Sequence, residues 1–275
     1  MSFKGKRGDT VHIPAPTRGT ANAKTATNVV TLQVNTESEV AVSINKHYEY
    51  SRLIEDIVEV QALSSLRSFY TDDAGYALAK QVDTDLIRLG RTFNSGSAGA
   101  RYNAAYIGGD GTTAFDYTAS SGAGNASALT DAAIRRTIQR LDDQDVPMDG
   151  RWFIIPPSSR NTLMGLARYT EQAFVGESGA NNTIRNGEIG NLYGMPVFVT
   201  TNADYLNSAV DGSGTNIGRV ALMGHKDSMV LVEQQGIRSQ TQYKQEYLGT
   251  LFTSDTIYGV SELRDYGAVA LAVPA

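Results

Sequence analysis

The sequence predicts an α+β protein, and three observations lead to that prediction. Apolar residues alternate near the start of the chain, as in Val40, Val42 and Ile44, which is typical of half-buried strands. An apolar stripe of helical period runs from residue 74 to residue 89. A strand, a helix and a second strand then alternate between residues 130 and 201, which favours a small α/β domain in the second half of the chain.

The N-terminal region is predicted to form a long hairpin. Residues 8–50 are expected to contain strands, because the apolar residues Val30, Leu32 and Val34 also occupy alternate positions. The pattern is lost in the stretch Pro14–Lys24, which is polar, built from small residues and carries two prolines, so it does not suit a central strand. We therefore expect this stretch to be the tip of a projecting hairpin.

Helices are predicted to follow. From Arg52 the apolar period changes, which indicates one or two short helical stretches before Phe69. A longer helix is expected to begin at Thr71 or Asp72, which suit an N-cap, and to end at Gly90 and Arg91. Its apolar stripe consists of Ala74, Leu78, Val82, Leu86 and Leu89. At 1.5 Å per residue this helix would be roughly 25–30 Å long.

A stretch rich in Gly, Ala, Ser, Asn and Thr, residues 94–128, is predicted to be a long loop that marks a domain boundary. After it, Thr130 is expected to cap a helix that ends before Pro147, with Ile134, Ile138 and Leu141 on its inner face. The compact apolar run Arg151–Ile155 is predicted to be a buried strand, and two prolines after it mark its end.

The rest of the chain is predicted to hold one more helix and several strands. Ser158 or Ser159 is expected to open the helix, with Leu163 on its inner face. The predicted strands are Val197–Thr200, Val220–Met223, Met229–Val232 and Ala268–Val273, with further strands and an intervening turn between Gln234 and Tyr258.

Composition excludes several classes of protein. The 275 residues contain no cysteine, so there is no disulfide framework, thiolate metal site or Cys nucleophile. The 24 basic and 29 acidic residues give a net charge of −5, so any contact with nucleic acid would be local. The first 24 residues are basic, which favours a solvated arm over a specific polyanion site, because no aromatic residues interleave. No apolar stretch approaches the ~18 residues of a membrane span.

The motifs in the sequence predict neither an enzyme nor a bound cofactor. His12, His47 and His225 show no metal-ligand spacing, and no Gly-x-Ser-x-Gly elbow is present. The glycine-rich run Gly108–Thr113 has no lysine after it and is better explained as a turn than as a phosphate loop. The carboxylate pairs along the chain suit helix surfaces and caps, and no metal site is expected among them.

Two stretches resemble the coat proteins of tailed bacteriophages with the Hong Kong 97-type fold. Val40–Ile57 resembles the strand-to-helix entry of that family, and its continuation to Asp83–Leu86 resembles the long spine helix. Arg151–Ser159, followed by Ile184–Gly187 and Gly194–Val197, is similar to the strand, helix and strand of the axial domain. The resemblance implies an extended β-hairpin loop, a peripheral domain with the spine helix, and an α/β axial domain.

Laid on that family, the chain is expected to have four segments. Residues 1–50 would form the N-terminal segment and extended loop, residues 51–128 the peripheral domain with the spine helix and the Gly/Ser-rich loop, residues 129–215 the axial domain, and residues 216–275 C-terminal strands that return to the peripheral domain. The resemblance implies that subunits touch through the extended loop and the axial stretch. The candidate contact residues are Arg18, Lys24, Phe174, Glu177, Arg185 and Glu188.

The implied function is that of a major capsid protein that self-assembles, as hexamers and pentamers, into the icosahedral head shell around double-stranded phage DNA. Scaffolding, portal and decoration proteins are further possible partners, contact with DNA would be non-specific, and no membrane is involved. Assembly would take place in the host cytoplasm and the product would reside in the virion. An encapsulin-like bacterial compartment shell of the same fold is the alternative. A secreted adhesive β protein would explain the Gly/Ser/Thr-rich loops but leaves the helices unexplained.

Overall fold

A computed structural model describes residues 8–16, 19–27, 29–30, 32–34, 37–61, 66–91, 93, 106–108, 128–166, 191–206 and 218–274. The chain divides into two compact units. The first comprises Met1–Ala74 and Leu231–Ser261, and the second comprises Gly75–Val230 and Glu262–Ala275. The stretch between residues 94 and 128, where the sequence predicts a domain boundary, falls within the second unit, because Tyr106–Gly108 joins the same sheet as strands that follow residue 128.

The first unit begins with the predicted hairpin. Strand β1 (Thr10–Pro16) pairs antiparallel with β2 (Glu37–Ser43), from Thr10 opposite Ser43 to Pro16 opposite Glu37. The prediction that the tip starts at Pro14 is wrong, since β1 continues to Pro16. A sheet of only two strands has an open side at each strand, so a proline there does not have to interrupt a hydrogen-bond ladder.

Strand β3 (Lys46–Glu55), strand β10 (Met229–Lys244) and strand β11 (Gly249–Glu262) form a three-stranded sheet in the order β10-β11-β3. The helical stretch predicted from Arg52 begins only with helix α1 (Asp56–Gln61). Arg52 itself lies in β3 opposite Phe252, because pairing with β11 overrides the local apolar period. The strands and turn predicted between Gln234 and Tyr258 are confirmed.

Helix α2 spans Leu66–Arg88 and is longer than predicted, at roughly 35 Å. Thr71 and Asp72 lie inside it and not at its N-terminus, since the helix begins at Leu66. The predicted end is confirmed, because a single 3₁₀ turn, Leu89–Arg91, closes the helix. At Gly90 an added Cβ would lie 3.3 Å from the Leu222 side chain, so the helix end packs closely at this position.

The second unit is built on a seven-stranded mixed sheet in the order β4-β12-β9-β5-β7-β6, with β8 paired to β9. The β12–β4 and β5–β7 pairs are parallel and the others are antiparallel. The strands are β4 (Tyr106–Gly108), β5 (Arg151–Ile155), β6 (Asn191–Leu192), β7 (Met195–Val199), β8 (Tyr205–Leu206), β9 (Gly218–His225) and β12 (Ala268–Pro274).

Two helices cover this sheet. Helix α3 (Asp131–Asp143) has the predicted cap, with Thr130 Oγ1 accepting a hydrogen bond of 3.2 Å from the Ala133 amide. Helix α4 (Pro157–Met164) starts at a proline, which suits the first helical position, so neither Ser158 nor Ser159 opens it. The core between helices and sheet includes Ile134, Leu141, Phe153, Leu163, Met223 and Leu271.

The C-terminal strands contribute to both units. β10 and β11 pair in the sheet that contains β3, whereas β9 and β12 pair in the sheet that contains β5. The sequence predicted one group of returning strands for residues 216–275. Strand propensity does not encode the partner of a strand, which explains why the sequence alone did not separate the two pairs.

Candidate inter-subunit surface

One of the predicted contact residues lies in the described part of the chain. Lys24 is exposed and lies in the segment between β1 and β2. Arg18, Phe174, Glu177, Arg185 and Glu188 lie outside the described residues. Their part in subunit contacts therefore stays a prediction.

The same segment carries an apolar surface that the sequence prediction missed. Val29, Val30, Leu32 and Val34, which we call the hairpin strip, expose between 63% and 91% of their area. The prediction that Val30, Leu32 and Val34 share the buried face of a strand is wrong, since the described residues from 19 to 34 form no strand. Burying one Val or Leu side chain stabilises by about 1.5–3 kcal/mol, so the strip favours association.

The base of the hairpin is held by local contacts. The Ile44 amide donates to the Asp9 carbonyl at 2.7 Å, and Val42 is fully buried. Across the two strands His12 Nδ1 lies 2.9 Å from Glu39 Oε1. Both side chains of this pair are exposed, so it contributes little to stability. The hairpin thus has a fixed base and an exposed apolar end segment.

A buried carboxylate links all three strands of the β10-β11-β3 sheet. Asp255 on β11 accepts two hydrogen bonds from Arg238 on β10, at 3.0 and 2.9 Å. Its Oδ2 also accepts one from Gln235 at 3.1 Å, and His47 Nε2 on β3 lies 3.3 Å away. The Arg238 bonds, together with those of His47 and Gln235, lower the pKa of Asp255 below its ordinary value of 3.8, although burial opposes this.

A second polar cluster connects β3 to the N-terminal part of α2. Tyr50 donates a hydrogen bond of 2.6 Å to Asp73 and accepts one of 3.1 Å from Arg52 Nε. The Arg52 guanidinium also lies 5.4 Å from the centre of the Tyr70 ring. The bond to Asp73 raises the pKa of Tyr50, since it is made by the protonated hydroxyl.

The far end of this sheet presents more exposed apolar side chains. The Asp56 amide, at the start of α1, donates to the Leu248 carbonyl at 3.0 Å, and Tyr243 donates to Asp56 Oδ2 at 2.8 Å. Leu248 has a positive φ of 44° in the turn between β10 and β11, and its side chain is exposed. Ile57 and Tyr247 beside this turn are also exposed. The end of the sheet is therefore a second candidate contact surface of the first unit.

The described residues offer no arrangement for metal chemistry. The three histidines have separate environments, since His12 contacts Glu39, His47 contacts Asp255, and His225 lies 2.7 Å from the Asp149 carbonyl oxygen. No group of three or more His, Asp or Glu in the described ranges is placed to hold a metal ion. None of the helices described here combines the length and apolar character that crossing a bilayer requires. The surfaces that stand out are apolar contact surfaces.

Comparison with solved structures shows the fold. A chain from Mycobacterium phage Che8 superposes with a TM-score of 0.70 at 19% identity, over 96% of this chain and 85% of that one. The capsid of cyanophage P-SCSP1u gives a TM-score of 0.72 at 17% identity, with 99% and 85% covered. The capsid of Ralstonia phage GP4 gives 0.68 at 16% identity, with 100% and 86% covered. No curated protein sequence matches the chain.

These similarities show that the chain has the Hong Kong 97-type fold of mixed helices and sheets that the sequence predicts. A family model described as phage capsid protein matches residues 49–272, so the chain belongs to the phage capsid protein family. It is a structural protein, the major subunit of a phage capsid shell. The encapsulin-like alternative is not favoured, since the matching family model is that of a phage capsid protein.

Proposed function

We propose that the chain forms hexamers and pentamers that close into an icosahedral head around double-stranded phage DNA, with the hairpin reaching over a neighbouring subunit. The observation that carries the proposal is the hairpin strip, because four aliphatic side chains in six residues stay exposed in the single chain. Isolated exposed apolar residues are normal, but a contiguous group usually marks a contact surface. A second copy of the chain is the natural partner in a shell-forming family.

The other elements support roles that follow from the fold. The roughly 35 Å helix α2, of which Leu66–Ala74 belongs to the first unit and Gly75–Arg88 to the second, would serve as the spine helix. The second unit, with its covered seven-stranded sheet, is suited to the axial position of a capsomer, where the stretch that includes Phe174 would meet neighbouring copies. Many modest interfaces repeated around the shell then give a large total stabilisation.

The contents and further partners of the particle belong to the same proposal. A net charge of −5 suits a wall that encloses DNA without binding it tightly, so contacts with DNA would be few and non-specific. Scaffolding, portal and decoration proteins would be further partners, and assembly would take place in the host cytoplasm.

The experiment replaces the hairpin strip by serine with the quadruple variant Val29→Ser, Val30→Ser, Leu32→Ser and Val34→Ser. The free energy of unfolding of the variant subunit should lie within about 0.5 kcal/mol of the wild-type value, because these side chains are already exposed. Shell assembly should need at least about tenfold more protein, since burial of a single such side chain contributes about 1.5 kcal/mol or more. Electron microscopy and sedimentation measure the assembled fraction.

The matched control places four substitutions at exposed positions of the same segment: Ala21→Ser, Ala23→Ser, Thr25→Ser and Thr27→Ser. It should assemble like wild type. Equal assembly of the strip variant and the control would contradict a contact role for the hairpin. Nuclease-protected DNA inside native particles is expected, whereas host proteins in place of DNA would support the encapsulin-like alternative.

A further inference from the structure

The outer side of strand β10 is an unusual feature of the first unit. In the sheet order β10-β11-β3, strand β10 lies at an edge, and no described strand pairs with its other side. Its seven consecutive residues from 237 to 243 are all exposed, so neither face of the strand is covered there. An edge of this kind presents a row of backbone N–H and C=O groups to a further strand.

The sequence of this edge does not protect it against pairing. Proteins usually block such edges with prolines, bulges or inward-pointing charges. Residues 237–243 contain no proline, and their only charged residue, Arg238, is bound to Asp255 on the neighbouring strand β11. Large apolar side chains mark both ends of the stretch, since Ile237 is 53% and Tyr243 is 49% exposed. This edge is therefore open to strand addition.

We propose that β10 pairs antiparallel with β10 of a second copy around a two-fold axis at Gln240, which joins two three-stranded sheets into one of six strands. The inference rests on the proposed shell-forming function. A two-fold axis makes the contact self-complementary, because each residue i lies opposite residue 480 − i of the other copy. Ile237 then lies opposite Tyr243, Ser239 lies opposite Thr241, and Gln240 lies opposite its own copy.

The sequence favours this register over its neighbours. An axis at Arg238 would place two arginines directly opposite each other, and an axis at Thr241 would place Arg238 opposite Lys244. Like charges in directly opposed positions destabilise a strand pair. An axis at Ser239 avoids such pairs but leaves Ile237 opposite Thr241. The axis at Gln240 also avoids them, and it brings the two exposed apolar side chains into an aromatic–β-branched pair, which is a favourable combination.

The chain contains no cysteine, so introduced thiols report this contact without background. In shells assembled under reducing conditions and then oxidised, Gln240→Cys should form disulfide-linked dimers, because directly opposed residues have the Cα separation that a disulfide needs. The matched control is Gln245→Cys in the exposed turn after β10. The proposed register places residue 245 of one copy roughly 30 Å from residue 245 of the other, so the Gln245→Cys variant should stay monomeric on a non-reducing gel.

The register is tested by a second variant. The double variant Ile237→Cys with Tyr243→Cys should cross-link, whereas each of its single variants should not. The double variant also tests the β10–β10 contact if the Gln240→Cys variant does not assemble into shells. The proposal is overturned if shells form but neither variant yields at least about ten times more dimer than Gln245→Cys. Failure of the wild-type chain to form shells at all would instead contradict the proposed function.

Discussion

The two sheets of the molecule differ in what surrounds them. In the second unit, β9 and β12 are buried along almost their whole length, and the helices α3 and α4 close one apolar core over the sheet. In the first unit, β11 has several buried residues, but β3 has one, Ile54, and the distal half of β10 has none. The described core of the second unit is therefore completed within one chain, whereas the first unit presents surfaces suited to completion by other copies.

The kinds of interaction differ accordingly. Side chains such as Phe153, Ile155 and Leu271 stabilise the second unit by burial of apolar area. The three strands of the first unit are joined by the polar set around Asp255, and its β3 strand is tied to α2 through Tyr50. Apolar side chains of the first unit, including the hairpin strip, remain exposed. Mutations in the core of the second unit should therefore reduce subunit stability strongly, whereas mutations in the exposed surfaces of the first unit should mainly reduce shell assembly.

The largest expected effect comes from the buried sheet. Phe153→Ala on β5 removes a fully buried ring from the core, so the free energy of unfolding should fall by about 3–5 kcal/mol. Phe198→Ala on the adjacent strand β7 is the matched control, because Phe198 is 55% exposed, and it should cost less than about 1 kcal/mol. Urea denaturation of the subunit measures both. Similar losses from the two variants would contradict the assignment of the core.

Much of the second unit was predictable from sequence because its signals are local. The threonine at position 130 supplies a hydroxyl next to an amphipathic run, which is sufficient to predict both the cap and helix α3. The apolar run Arg151–Ile155 predicts a buried strand, and Arg151, Phe153 and Ile155 are buried in the structure. The separation of β9 and β12 from β10 and β11 was not predictable, since it depends on pairing between segments far apart in sequence.

The contact surfaces were harder to predict, and the hairpin strip shows why. Val30, Leu32 and Val34 alternate like a half-buried strand, and alternation does not distinguish a face covered by the same chain from one left for another chain. The useful signal lay beside them, in flanking residues too small and polar to supply a partner strand. The edge of β10 gave no sequence signal, because a strand becomes an edge only through the order of the sheet.

A smaller effect is expected from Asp255→Asn in the first unit. The amide keeps the shape but loses the charge that Arg238 contacts, so stability at neutral pH should fall by about 1.5 kcal/mol. The lowered pKa of Asp255 contributes stability that is present above its ordinary value of 3.8 and is lost as the pH falls through the lower, folded-state value. The variant should therefore be less stable at pH 7 and approach wild type in acid.

Denaturation curves from pH 7 to pH 2 measure this difference. Glu39→Gln is a control in the same unit, since the Glu39 carboxylate contacts His12 but both side chains are exposed, so its loss should change stability little. A loss at neutral pH that stays constant down to pH 2 would show that Asp255 acts through packing and not through its charge.

The smallest effect is expected from Tyr50→Phe, which removes only the hydroxyl that joins β3 to α2. One hydrogen bond to a carboxylate at a partly exposed position should contribute about 1 kcal/mol. Because the bond to Asp73 raises the pKa of Tyr50 above 10.0, its stabilisation is present below pH 10 and is lost as the pH rises through the folded-state pKa. The stabilities of wild type and variant should therefore become equal at high pH, whereas those of wild type and Asp255→Asn should become equal at low pH.

Tyr48→Phe on the same strand is the matched control, since the ring contact of Tyr48 with Tyr258, at 5.9 Å, does not depend on its hydroxyl. If Tyr50→Phe assembled shells less well without any loss of subunit stability, the hydroxyl would act between subunits, and the contrast between the two units would extend to their polar residues.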